Sequence, residues 1–342
     1  MKLRSTLYCL LLSFLFHPSA FPQGQLPPPS PPGPTMKSLD QLDEKLEKRV
    51  PIDAIHTPGD ASAQFRIGTQ GSYYLTGNIL PLANKDGISV EASGVTIDLN
   101  GFVVGFNPNS PLAGSGVGIK SFVSTTTVRN GSVHGWAGGG LRLGTAARVE
   151  SVSVAGNGDG IYVQTASVIV DSVTRGNQGT GIAAGYGSVI RNCTAVQNGG
   201  QGIRANGSHI SHCAAVKNGG DGIAAAGEAI VENNTCDGNG TGTVASAGIS
   251  ASGNGNRIEN NNTTNNDVGI SVTGTGTVIE ANHVRNNTGP GIEVTTVNGR
   301  NVIIRNVAGN NVNSYTSIAS GNQVGPIDTN FTATSPFANF GN

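Results

Sequence analysis

The 342 residues include 51 glycines, about twice the usual share, while charged residues make up only 12%, about half the usual share. Such a composition excludes a helical bundle and a charged disordered tail; it suits short strands joined by tight turns, in which stacked neighbours bury one another. A formal net charge of −1 and 5% aromatics supply neither the basic footprint nor the stacking platforms that nucleic-acid binding requires.

Lys2 and Arg4 precede an apolar run from Leu7 to Phe16, and small residues follow at Ser19 and Ala20. This pattern predicts a secretory signal peptide over residues 1–20. The run is too short for a bilayer, which needs roughly 20 apolar residues, and no later segment is apolar enough. The expectation is therefore no membrane span and a secreted, periplasmic or extracellular location. Residues 21–35 hold seven prolines and read as an extended spacer. Residues 36–70 read as an N-terminal amphipathic helix and cap. Leu39, Leu42 and Leu46 have helical spacing, with acids early and Lys45, Lys48 and Arg49 late, as the helix dipole prefers.

From Gly71 the pattern becomes strand-like, and between Ala147 and Asn311 one phrase recurs. Each repeat opens on Gly-Ile (Gly160-Ile161, Gly181-Ile182, Gly202-Ile203, Gly222-Ile223, Gly248-Ile249, Gly269-Ile270, Gly291-Ile292), at intervals of 20 to 26 residues. Each closes on Asn: 157, 177, 198, 218, 239, 266, 287 and 311. A fixed period of this length predicts a solenoid, expected over residues 71–311 with a C-terminal cap over residues 312–342. Residues 101–118 and 240–247 interrupt the period and are expected to project as loops. Phe331, Phe337 and Phe340 are expected to cover the final coil.

Alignment on the closing Asn places Val149, Ile169, Ile190, Ile210, Val231, Ile258, Ile279 and Ile303 in one inward column. A second column, three residues later, runs Val152, Ser172, Cys193, Cys213, Asn234, Asn261, Asn282, Asn306. Stacked at the ~4.8 Å strand spacing, the four amides predict a hydrogen-bonded ladder, since a lone buried amide would cost about 1–3 kcal/mol. The closing Asn column reads as turn residues bonded to local backbone, so Asn261→Leu is expected to destabilise more than Asn266→Ser. Cys193 and Cys213 fall on adjacent coils within disulfide range, although buried small hydrophobes are the simpler reading.

Parallel strands with Gly and Asn turns predict an all-β, right-handed parallel β-helix of about ten coils with a short N-terminal helical cap. Repeats such as Ile279-Glu280-Ala281-Asn282-His283-Val284-Arg285-Asn286-Asn287 resemble the right-handed parallel β-helix repeat proteins that share the pectin lyase-like fold. The flanks Gly71–Asn78, Val95–Gly101 and Gly325-Pro326-Ile327 resemble an uncharacterised secreted bacterial subset of that group.

The resemblance implies that an enzyme of this type would act on an acidic polysaccharide along an outer sheet face, through a basic residue or paired aspartates. The motifs of the hydrolases and epimerases of that group (Asn-Thr-Asp, Asp-Asp, Gly-His-Gly, Arg-Ile-Lys, Asp-Pro-His-Asp) are absent, and no catalytic residue is assigned. Asp86, Asp159, Asp221 and Asp267 stand at or just before opening glycines and read as turn residues. His209 and His212 have H-x-x-H spacing without an adjacent carboxylate, so no metal site and no cofactor is assigned. His134, beside Trp136, and His283 read as surface positions, and Glu150, Asp171, Arg191, Glu232, Glu259 and Glu280 as a mixed-charge side.

Alternation places Ser89, Lys120, Arg142, Tyr162, Ala183, Arg204, Ala224, Ser250, Ser271 and Glu293 outward, with Phe122, Gln164 and Asn206 two residues beyond members of that row. The candidate ligand-binding residues are Lys120, Arg142, Tyr162, Gln164, Arg204 and Asn206. Three functions fit. The first is a secreted, non-catalytic protein binding glycan or another surface polymer. The second is a polysaccharide lyase with Lys120 or Arg142 as base and Arg204 holding a carboxylate; the third is a structural or self-assembling surface protein.

Overall fold

The computed structural model describes residues 49–105, 116–240, 246–316 and 318–341. The proposed signal peptide, spacer and amphipathic helix, and the middle of both expected loops, lie outside the described residues. Within them there are strands, turns and bends, and no α-helix. The strands wind as a parallel solenoid. One sheet has twelve strands, from Ala63–Ile67 to Asn313–Thr316, so the winding makes about twelve turns rather than ten. The extra turns lie beyond the Gly-Ile openings, at either end. The other two faces join at a corner, because Thr127–His134 and Arg148–Ala155 run through it unbroken and contribute to both.

The aliphatic column sits where alternation predicts. Val149, Ile169, Ile190, Ile210, Val231, Ile258, Ile279 and Ile303 are successive register partners and are fully buried. Each buried aliphatic side chain contributes about 1.5–3 kcal/mol, and the register packs similar shapes against one another. Trp136 is also fully buried, with Nε1 donating to the Val104 carbonyl at 2.9 Å. His134, expected at the surface, is half-buried beside it.

Asn234, Asn261, Asn282 and Asn306 form the expected ladder, each Nδ2 donating to the next Oδ1 at 3.0–3.1 Å, and Asn339 extends it. The closing column is corrected. Its asparagines are inside, and from Asn157 to Asn311 seven Nδ2-to-Oδ1 bonds of 2.8–3.2 Å link them coil to coil. The bend belongs to the preceding residue: Gly156, Gly176, Gln197, Lys217, Gly238, Asn265, Asn286 and Asn310 all have positive φ. One left-handed residue turns the chain and aims the next side chain inward.

Cys193, Cys213 and Cys236 are free, buried thiols. Cys236 lies in a different column, beside Ala215 and Thr263. In the ladder column, Cys193 and Cys213 point their Sγ at the carbonyls of Ile169 and Ile190, 3.6 and 3.7 Å away. The asparagine that follows makes the equivalent bond to Ile210 at 3.0 Å. Cys213→Asn should therefore lengthen the ladder by one coil. Its Nδ2 would reach Ile190 and Asn234 while its Oδ1 accepted from the Cys193 amide. A stabilisation of about 1 kcal/mol is expected in urea unfolding; a loss of stability would show that the corner has no room for the amide.

At the C-terminal end Phe340 pairs with Val307 and stacks on Phe331 at 5.5 Å. Phe331 and Phe337 nonetheless remain largely exposed.

Candidate functional site

The twelve-stranded sheet presents one outward row in continuous register: Arg66, Ser89, Lys120, Arg142, Tyr162, Ala183, Arg204, Ala224, Ser250, Ser271, Glu293 and Thr316. Lys120, Arg142, Tyr162 and Arg204 are thus brought onto one rigid face. Buried Ala183 leaves a dip between Tyr162 and the exposed Arg204. Asn206 is exposed beside Ala226 on the next strand, and Gln164 is half-buried where its chain leaves the sheet.

The charges on this face are paired in ways that residue spacing does not reveal. Lys120 Nζ lies 3.0 Å from Asp86 Oδ2. Its charge is already matched by a carboxylate 34 residues earlier in the chain, which offsets the repulsion that two adjacent cations, Lys120 and Arg142, would otherwise feel. Arg142 turns its guanidinium back toward the Gly138 carbonyl at 3.4 Å. Arg66, at the first strand of the row, bridges Asp60 at 2.9 Å and Glu91, to which its Nε donates at 2.8 Å. The Ser62 hydroxyl and the Ala63 and Ser62 amides hold the Asp60 carboxyl down at about 2.

Two exposed aromatics complete the face. Phe122 is 65% exposed, and Lys120 Nζ sits 5.5 Å from its ring centre. Ser89, Val90, Glu91, Lys120, Phe122 and Val123 line a cleft of about 350 Å³. Tyr186, at the corner next to the sheet, donates its hydroxyl to Glu228 at 3.2 Å and lies so close over Gly207 that a Cβ there would meet the ring at 2.1 Å. Phe122 was legible as an outward position and Tyr186 as an aromatic between two glycines; neither signal distinguishes a ligand platform from an ordinary surface ring.

The aspartates near the opening glycines act between coils. Asp86, Asp159 and Asp221 accept the backbone N–H of Val117, Thr180 and Ala247 on the following coil at 2.8–3.0 Å, and Asp267 accepts that of Ser246 on the preceding one at 3.4 Å. Burial raises the Asp221 pKa above its ordinary 3.8. A carboxyl with a raised folded-state pKa stabilises the fold only while protonated, and that contribution is lost as pH rises through the raised value. Asp221→Asn keeps an oxygen for Ala247 without the charge. The variant should therefore melt at or above the parent temperature at pH 7, with the difference shrinking as pH falls toward 3.8; a deficit at pH 7 would contradict this.

His209 Nε2 lies 2.8 Å from Glu232 on the next coil, a carboxylate that sequence spacing did not reveal. His212 sits at the bend with φ 55°. Among the described residues no group of three or more His, Cys, Asp or Glu side chains could hold a metal ion. On the mixed-charge side Arg257 pairs with Glu259 at 2.7 Å and Arg305 with Glu280 at 2.6 Å. No helix among the described residues is long and apolar enough to cross a membrane.

Among solved structures, the Dettilon tailspike protein aligns with a TM-score of 0.51 and 15% identity, over 80% of this chain and 61% of its own. The Agl-KA catalytic domain aligns with a TM-score of 0.52 and 14% identity, over 86% of this chain and 62% of its own. The A-module of the Azotobacter vinelandii mannuronan C-5 epimerase AlgE4 gives 0.49 and 16%, over 86% and 85%. At identities this low the first two show the fold alone, and the chain spans about three fifths of their length. No curated protein matches the chain. The family model described as "Right handed beta helix region" matches residues 65–214 and 190–331, well over half of the sequence. The chain therefore belongs to the right-handed β-helix family.

Proposed function

We propose that this is an exported protein that holds a glycan or another surface polymer against the outer face of its twelve-stranded sheet without cleaving it. The observation that carries this reading is the in-register row of Lys120, Arg142, Tyr162 and Arg204, a polar and aromatic strip about 4.8 Å per step on paired parallel strands. Export rests on the basic, apolar and small-residue order of residues 1–20.

A lyase would need one of these groups as a proton acceptor at the start of its cycle. Lys120 Nζ is engaged by Asp86, and an arginine guanidinium keeps its protons in proteins, so the row favours holding over proton abstraction. The test is retention of the full chain on immobilised acidic and neutral polysaccharides. Tyr162→Ala and Arg204→Ala should each weaken retention about tenfold, equivalent to about 1.4 kcal/mol, with melting temperature unchanged. Retention on none of the polymers overturns the proposal; release of an unsaturated uronate, detected by its absorbance and lost in Arg142→Ala, would replace it with the lyase reading.

A further inference from the structure

The cleft beside Phe122 is chemically distinct from the rest of the row. One cation, Lys120, lines it, a second, Arg66, bridges Glu91 in its wall, and both already carry carboxylate partners. Asp60 and Glu91 flank Arg66, and Asp86 holds Lys120. Three carboxylates thus face two cations. Arg142, on the adjacent strand, turns to the Gly138 carbonyl and does not line the cleft. An incoming carboxylate would find no unmatched cation there and would meet Glu91, which lines the wall. Neutral hydroxyls, by contrast, find both donors and acceptors in Ser89, Glu91 and Lys120 without breaking an ion pair.

The floor is equally selective. Phe122 is 65% exposed in a protein with 5% aromatics. Its ring presents the negative face of a quadrupole, to which the weakly positive C–H bonds on one face of a pyranose are attracted. The cleft volume of about 350 Å³ lies within the range of small-ligand sites, about 300–1,000 Å³. Resting on the glycan-face reading above, we propose that this cleft is a subsite for one neutral sugar residue, stacked on Phe122 and hydrogen-bonded to Ser89, Glu91 and Lys120, and that it discriminates against uronic acids.

Calorimetric titration of the full chain with cellohexaose, maltohexaose, mannohexaose and galactohexaose, and with hexagalacturonate and hexamannuronate, tests it. At least one neutral hexasaccharide should bind at least tenfold more tightly than either acidic one. Phe122→Ala should weaken that binding tenfold or more, while Phe122→Trp, which keeps a stacking surface, should stay within about threefold, the melting temperature of both being unchanged because the ring is exposed. Acidic oligosaccharides binding as tightly as the best neutral one, or neutral binding untouched by Phe122→Ala, overturns the assignment. If no neutral hexasaccharide binds although the protein is retained on a polysaccharide, the subsite is wrong and the wider glycan-face reading stands. Retention on no polysaccharide removes both.

Discussion

Asn218→Leu is expected to destabilise the solenoid by about 3–6 kcal/mol, more than any substitution on the outer face. Asn218 accepts from the Asn198 backbone and from Asn198 Nδ2 at 3.1 and 3.0 Å. It donates to Asn239 Oδ1 at 2.9 Å and to the Ala195 carbonyl at 3.0 Å. Leucine fills similar space yet leaves two Asn198 donors and part of two acceptors without partners in an interior that water does not reach, at about 1–3 kcal/mol for each stranded group. The loss should show as a lower urea midpoint with an unchanged slope. A shift of less than about 1 kcal/mol would mean that the neighbouring coils re-form their bonds without the amide.

The ordering of Asn261→Leu above Asn266→Ser now stands on a different footing. Asn266 is as much an inside amide as Asn261, accepting from Asn239 and donating to Asn287. Serine is the gentler change because its oxygen can still take a backbone N–H. Ser167, Ser188 and Ser208 do so at the third corner, accepting from the preceding coil at 3.1–3.2 Å.

The period makes register readable, which is why the outward row from Ser89 to Glu293 and the inward column from Val149 to Ile303 were both legible in the sequence. A constant interval brings equivalent residues together whatever fills the turns. What the period does not fix is the side of the wall at a bend, where one residue separates inside from outside. Lys217 carries the left-handed conformation and Asn218 the buried amide; in the sequence, an Asn beside Gly or Asn looks like the bend itself. Pairings that cross coils outside the repeat were equally hidden. Nothing about Asp86 announces that it meets Lys120, because Lys120 is the register partner of Ser89 and the pair joins residues three positions out of register. Thus the scaffold was legible, while the state of charge of its face required the fold.

Gly202→Ala is expected to cost about 2–4 kcal/mol even though the change adds one methyl group to a residue with ordinary backbone angles. A Cβ at Gly202 would lie 2.6 Å from Asn218 Nδ2 and 2.6 Å from the Gly222 carbonyl oxygen. Neither can retreat, since the amide is held by its ladder and the carbonyl accepts the Ile203 N–H at 2.9 Å. The opening glycine is therefore set by close approach between coils rather than by conformational freedom, which explains why it recurs with the same period as the ladder it touches. Gly187→Ala provides the contrast. Gly187 has φ 71° and nothing within 4 Å of its would-be Cβ, and Ala146 and Ala166 already hold φ 52° and 56° at the same corner. It should lose only about 1–2 kcal/mol of left-handed strain. Thermal melts of the two variants decide the matter: if Gly187→Ala melts lower than Gly202→Ala, backbone freedom rather than contact with the Asn218 amide is what the opening glycines provide.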